Sequence, residues 1–159
     1  MATRSGGPEE LQEWLTEMIT EVAPELAGQL HAKIHLQVVN GVVRRTPVGN
    51  PSLWESPPPP GYTGGRARGN WQSSIFVPKT NELPIEDASG QSSIADGENV
   101  ARRIQAGDVS YITNNVPYII RLNQGWSTQA PAAFVDASIN EVVAQFGGEE
   151  IEWSGALAD

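Results

Sequence analysis

The 159-residue chain contains no cysteine, so neither a disulfide framework nor thiolate chemistry is open to it. A reducing cytoplasm fits this composition, although cysteine usage does not encode the compartment. No apolar run approaches the ~18 residues that a membrane-spanning helix needs. The opening stretch "MATRSGGPEELQEW" has no apolar signal region, so export by a signal peptide is not expected. Basic residues are scarce: 10 Lys and Arg stand against 19 Asp and Glu, for a formal net charge of −9. Tight general binding of nucleic acid needs a basic surface that neutralises phosphates, and the acidic surplus disfavours it. A weakly repulsive surface past which DNA slides is compatible with it. Histidine occurs only as His31 and His35.

Glycine (16) and proline (12) are plentiful, while hydrophobic residues make up 39%. That balance points to a modest core with long loops or arms, completing its burial against copies of itself or a partner. The length suits one domain. Charge is uneven. Arg44, Arg45, Arg66 and Arg68 face only Glu55 in their part of the chain, whereas Glu141, Glu149, Glu150, Glu152 and Asp159 close it without a base. Such asymmetry suits head-to-tail contacts between chains, and it is equally common on solvated surfaces.

Pro8 followed by Glu9 and Glu10 marks a helix start. Leu11, Leu15, Met18, Ile19 and Val22 recur at helical spacing, and Leu26, Leu30, Ile34 and Val38 continue the stripe every four residues. The periodicity predicts a helix from Pro8 to Arg44, with Pro24 as the place for a kink or restart. Residues 45–71 cannot be regular structure. Pro57, Pro58, Pro59 and Pro60 favour an extended polyproline II arm, bracketed by Trp54 and Tyr62, and the following glycines favour turns. "WQSSIFVPK" (71–79) alternates as a strand ending at Pro78. Residues 80–92 form a polar loop, 93–107 a short helix closed by Gly107, and 108–115 a second strand. Asn114-Asn115 suits a turn into 117–125, a third strand or an extended turn. Pro131 starts a helix with an apolar face of Phe134, Val135, Ile139, Val142, Val143 and Phe146, stopped by Gly147-Gly148. The expected fold is α+β: a long N-terminal helix and a C-terminal helix packed on a small antiparallel sheet. Residues 1–7 are expected to be flexible, 8–146 to form one domain with its arm at 46–70, and 147–159 to be an acidic tail anchored by Ile151 and Trp153.

The candidate chemical motifs are incomplete. Gly125-Trp126-Ser127-Thr128-Gln129 lacks the second glycine of a nucleophile elbow, and the only histidine bases lie on the long helix. Ser127 therefore reads as part of a turn leading to Pro131. His31 and His35 stand one helical turn apart, as metal-binding histidines do, but "HAKIH" lacks the zinc-protease glutamate and no third ligand is near. A partly exposed helix face is the plainer reading. "GYTGGRARG" is not a phosphate-binding loop of the Gly-x4-Gly-Lys type. Trp54, Trp71 and Trp126 could stack on bases, but at this net charge they read as core or interface. Glu149-Glu150 has no scaffold. No catalytic residue, cofactor or metal site is expected.

Two longer blocks are more specific. Thr46-Pro47-Val48 leads, through the proline arm, to Thr63-Gly64-Gly65-Arg66-Ala67-Arg68-Gly69-Asn70-Trp71. Asn114-Asn115-Val116-Pro117-Tyr118 is followed by Gly125-Trp126-Ser127-Thr128-Gln129-Ala130-Pro131. With the helices in place, residues 8–146 resemble the neck, or tail-completion, proteins of long-tailed bacteriophages. Many members run the first block together as Thr-Pro-Val-Asp-Thr-Gly, so this chain resembles the longer variant. It departs from the pattern at Ala133, where glycine is frequent. The resemblance implies a non-enzymatic structural virion protein, assembled in the host cytoplasm into a homo-oligomeric, hexameric ring at the head–tail junction. The head-closure (stopper) or connector protein would lie on one side and the tail terminator or tail tube on the other. DNA would pass through without specific binding. A tail terminator or a non-virion assembly chaperone are the alternatives. Ring contacts are expected at Trp54, Pro57, Pro58, Pro59, Pro60, Tyr62, Arg66, Arg68, Trp71, Tyr118, Trp126 and Gln129.

Overall fold

A computed structural model of the chain describes residues 8–53, 57–58 and 60–146. Trp54, Pro59, the N-terminal stretch 1–7 and the acidic tail 147–159 lie outside the described residues.

The first helix is long because apolar and helix-forming residues recur without glycine until position 28. It comprises α1 (Pro8–Glu17), a π-helical turn (Met18–Val22) and α2 (Ala23–Arg45) as one continuous rod. Pro24 explains the middle segment. In a regular α-helix its ring would meet the carbonyl of Thr20 and its missing N–H would leave that carbonyl unbonded. The turn widens instead, and the Ala23 N–H bonds to Met18 O, so the proline is absorbed by a π-bulge rather than a break. The rod ends at Thr46, whose backbone N–H and hydroxyl both bond to Val42 O.

α2 buries the face formed by Gly28, His35, Val39, Val42 and Val43. This matches the predicted stripe only toward its end, where Val38 packs against the core. Leu11, Leu15, Ile19, Leu26 and Leu30 are 44–70% exposed, and every residue from 9 to 17 is exposed. The N-terminal half of the rod therefore projects as an arm with an apolar row facing outward.

Two strands, β1 (Trp71–Ile75) and β2 (Ser110–Asn114), pair antiparallel with Trp71 opposite Asn114 and Ile75 opposite Ser110. The first strand stops at Ile75, three residues short of the expected end at Pro78, because Phe76 turns at φ 66°. α4 (Gln91–Ala101) packs on β1 and on α2. The third strand or extended turn expected at 117–125 is instead the short helix α5 (Ile119–Asn123). Leu122 and Ile119 thereby reach the core, which an extended segment with alternating faces would not allow together. The last helix, α6 (Phe134–Gln145), lies mainly along α2 rather than on the sheet. Gly41 makes that approach possible, since a Cβ there would stand 2.9 Å from Ser138 Cβ. Val39, Val42, Val43, Trp71, Ala130 and Phe134 form the core, with Phe134 fully enclosed. The architecture is mixed α+β, as expected.

The histidine pair ties α2 to the sheet. His35 is buried, not part of a partly exposed face. One ring nitrogen, Nε2, lies 3.0 Å from the Ser73 hydroxyl on β1, and Nδ1 lies 3.0 Å from the Ser110 hydroxyl on β2. His31 Nε2 reaches the same Ser110 hydroxyl at 2.8 Å. Among the described residues no group of His, Asp and Glu side chains gathers that could hold a metal ion.

Candidate interaction site

The two sequence blocks meet in space. The first passes through Gly64 and Gly65, both in the left-handed region at φ 85° and 89°. Gly65 has a second reason to lack a side chain: a Cβ would lie 2.2 Å from Ala88 N. Its N–H bonds to Val48 O at 2.8 Å, which brings Thr46-Pro47-Val48 against the turn. The short helix α3 (Arg66–Gly69) then delivers Asn70 and Trp71 to the interior.

Asn70 is fully buried and acts as a clamp. Its Nδ2 donates to Arg66 O and Leu83 O, and its Oδ1 accepts the Leu83 N–H at 2.7 Å. Trp71, expected at a ring contact, is core instead. Its indole N–H donates to Thr46 Oγ1 at 2.7 Å, and it is enclosed within its own chain. Arg68 is likewise spent internally, donating to the carbonyls of Thr46, Ala88 and Arg44. Two more cations are engaged within the chain: Arg66 pairs with Glu82 and Arg45 with Glu141.

What remains at the surface is a cleft of about 440 Å³, bordered by Val48, Tyr62 and Arg66 from the first block and by Tyr118 and Gln129 from the second. The Arg66 guanidinium lies 5.8 Å from the centre of the Tyr118 ring. Its bond to Glu82 holds Arg66 above its usual pKa and Glu82 below the usual carboxylate range. Burial pushes the Tyr118 and Tyr62 hydroxyls up, and the charge of Glu86 adds to this at both. Glu86 is held low by the backbone N–H of Thr63, then by its hydroxyl. Gln129 joins the far wall to the arm, accepting the Asn50 N–H at 2.7 Å. The cleft thus presents two tyrosine rings, the Glu82-paired Arg66, the Glu86 carboxylate and a side-chain amide, a set that suits a neighbouring chain with aromatic, proline or amide groups.

Ser127 accepts the Gln129 N–H at 3.1 Å, which makes it a turn former. Both histidines bond serines of the sheet instead. Among the described residues Trp126 is the most exposed large apolar side chain at 74%, with the Arg121 guanidinium 5.4 Å from its ring centre. Pro57, Pro58 and Pro60 are exposed as well. Tyr62, Arg66, Tyr118 and Gln129 are therefore brought together, Trp126, Pro57, Pro58 and Pro60 stand at the surface, and Arg68 and Trp71 serve the fold. Among the described residues no helix is long and apolar enough to cross a membrane. Comparison with protein families, curated proteins and solved structures finds no match.

Proposed function

We propose that this chain is a structural subunit of a bacteriophage neck, assembling as a hexameric ring at the head–tail junction around the DNA path. The observation that carries the reading is the convergence of the two blocks that resemble the neck proteins. Separated by some forty residues of sequence, they build the walls of one cleft and leave Trp126 exposed beside it. A catalytic centre would need a base aimed at a nucleophile. Here the groups converge on shape, aromatic surface and a few paired charges, which is what a protein–protein contact uses. The net charge of −9 lets DNA pass such a ring without being held. The partners are other copies of the chain, with a stopper or connector above and a terminator or tail tube below.

The test is occupancy. Mass spectrometry of purified virions should find the chain at about six copies per particle, and negative-stain images of the purified protein should show rings. A chain present during assembly but missing from finished particles would instead mark a chaperone. A ring seated on the isolated tail tube before head joining would mark a terminator.

A further inference from the structure

Four side chains at the seam between α2 and the sheet form a line of polar contacts. The Ser73 hydroxyl on β1 meets His35 Nε2 at 3.0 Å, His35 Nδ1 meets the Ser110 hydroxyl on β2 at 3.0 Å, and that hydroxyl meets His31 Nε2 at 2.8 Å. The line runs from the interior outward: Ser73 and His35 are buried, whereas Ser110 and His31 are half-buried. Strand register and alternation put Ser73 and Ser110 on the face that α2 covers, and Tyr111 on the other. Few charges surround the line. Asp96 on α4 acts on His35 and accepts the Ser73 N–H at 2.7 Å. Asp108 is occupied by the Gln105 N–H, and Lys33, two residues from each histidine, lies over the Phe146 ring.

Each of these contacts takes one hydrogen, whereas two hydroxyls and two neutral imidazoles supply one each. One hydrogen is therefore spare, and burial decides where it is left. The Ser73 hydroxyl has no hydrogen-bond partner but His35 among the described residues. With its hydrogen on Nε2, His35 would donate to Ser73, and the Ser73 hydrogen would be enclosed without an acceptor, an arrangement that folded proteins avoid. Ser73 therefore donates to Nε2. The His35 hydrogen then sits on Nδ1 and is donated to Ser110, and the Ser110 hydrogen goes to His31 Nε2. The spare hydrogen stays on Nδ1 of the half-buried His31, at the end of the line that solvent reaches.

We infer that Ser110 is a swivel in a one-way line of hydrogen bonds, from Ser73 through His35 and Ser110 to His31, so that the seam accepts a proton on His31 but not on His35. A proton at His31 Nε2 turns that nitrogen from acceptor to donor. Ser110 then accepts from both rings and turns its own hydrogen toward solvent, and all the contacts of the line are kept. A proton at His35 Nε2 has no such outlet. It meets the Ser73 hydrogen, and both groups are enclosed. Relief requires the Ser73–His35 contact to open, which parts α2 from β1 at this point. Burial, which is the main cause holding His35 down at about 4, works in the same direction. The two imidazoles, one helical turn apart, are thus distinguished by the serines they face. The device works within a single copy and is independent of the ring.

Two-bond proton–nitrogen NMR of the full-length chain, isotope-labelled at histidine, reads which ring nitrogen carries the hydrogen. Near neutral pH both His35 and His31 carry it on Nδ1. As the pH is lowered and His31 takes up its proton, His35 stays neutral with its hydrogen still on Nδ1. Ser110→Ala returns His31 to the mixed tautomers of a free imidazole, and Ser110→Thr, which restores a hydroxyl, restores the single form. Either ring found with its hydrogen on Nε2 near neutral pH overturns the direction of the line. A change of His35 tautomer when His31 is protonated overturns the swivel, because the whole line has then reversed. A His31 tautomer that Ser110→Ala leaves unchanged also overturns it. The wild-type tautomers and titration decide by themselves if Ser110→Ala does not fold.

Discussion

Lowering the pH from about 7.5 to 5 should destabilise the subunit by about 2 kcal/mol through His35 alone. Burial is the main cause: removed from water, the imidazolium loses its hydration, and the nearby charge of His31 opposes it further, while Asp96 partly favours it. The pKa falls from 6.5 to about 4. The groups facing the ring are His31 on its own helix, Ser73 on β1, Ser110 on β2 and Asp96 on α4. In the unfolded chain the ring takes up a proton near 6.5, and in the folded chain only near 4. Stability is therefore full above 6.5 and is lost as the pH falls through the interval to 4. The loss reaches about 2 kcal/mol at pH 5 and about 3 kcal/mol at pH 4. For a domain of this size the first figure lowers the midpoint of thermal unfolding by about 4–8 °C. Asp87 does not confuse the window. Its carboxylate is held well below the usual range by Ser89, Ser92 and the N–H groups around them, so its contribution is lost only at pH values below those tested. Urea unfolding at the two pH values reads the effect, with His35→Leu as the control, less stable overall but nearly flat between them. Unchanged stability of the wild type, or an imidazole of His35 that titrates above about 6 by NMR, would refute the reasoning.

Ala133 occupies a left-handed conformation at φ 57°, which costs an L-residue about 1–2 kcal/mol. Ala133→Gly should therefore raise the unfolding free energy, measured in urea, by about 0.5–1 kcal/mol after the entropy of glycine in the unfolded chain is subtracted; a destabilised variant would contradict this. Trp126→Ala should cost folding less than about 1 kcal/mol, since a single exposed cation–π contact holds the ring, yet weaken assembly by about 2 kcal/mol or more. Ser127→Ala should disturb only its local turn, and infectivity decided by Ser127 rather than Trp126 would reopen a catalytic role. Duplex DNA should show no submicromolar gel shift at about 150 mM salt, where charges are screened beyond about 8 Å.

Local pattern carried much of this fold. The first helix, the two strands, α4 and α6 are each visible as periodicity bounded by glycine, proline or asparagine. Element ends and surroundings were less visible. Periodicity says which residues share a face, not what covers it, so the row from Leu11 to Leu30 could not be known to face outward. Residues 117–125 are rich in β-branched and apolar side chains, a short run that strand and helix accommodate alike until Leu122 finds the core. The fate of His35 depended on serines 38 and 75 positions away, and that of Arg68 on carbonyls brought beside it by folding. The glycines of Thr63–Trp71 mark a tight turn, yet only the approach of Ala88 shows why Gly65 tolerates no side chain. The surface roles of Tyr62, Arg66, Tyr118 and Gln129 came from the two blocks.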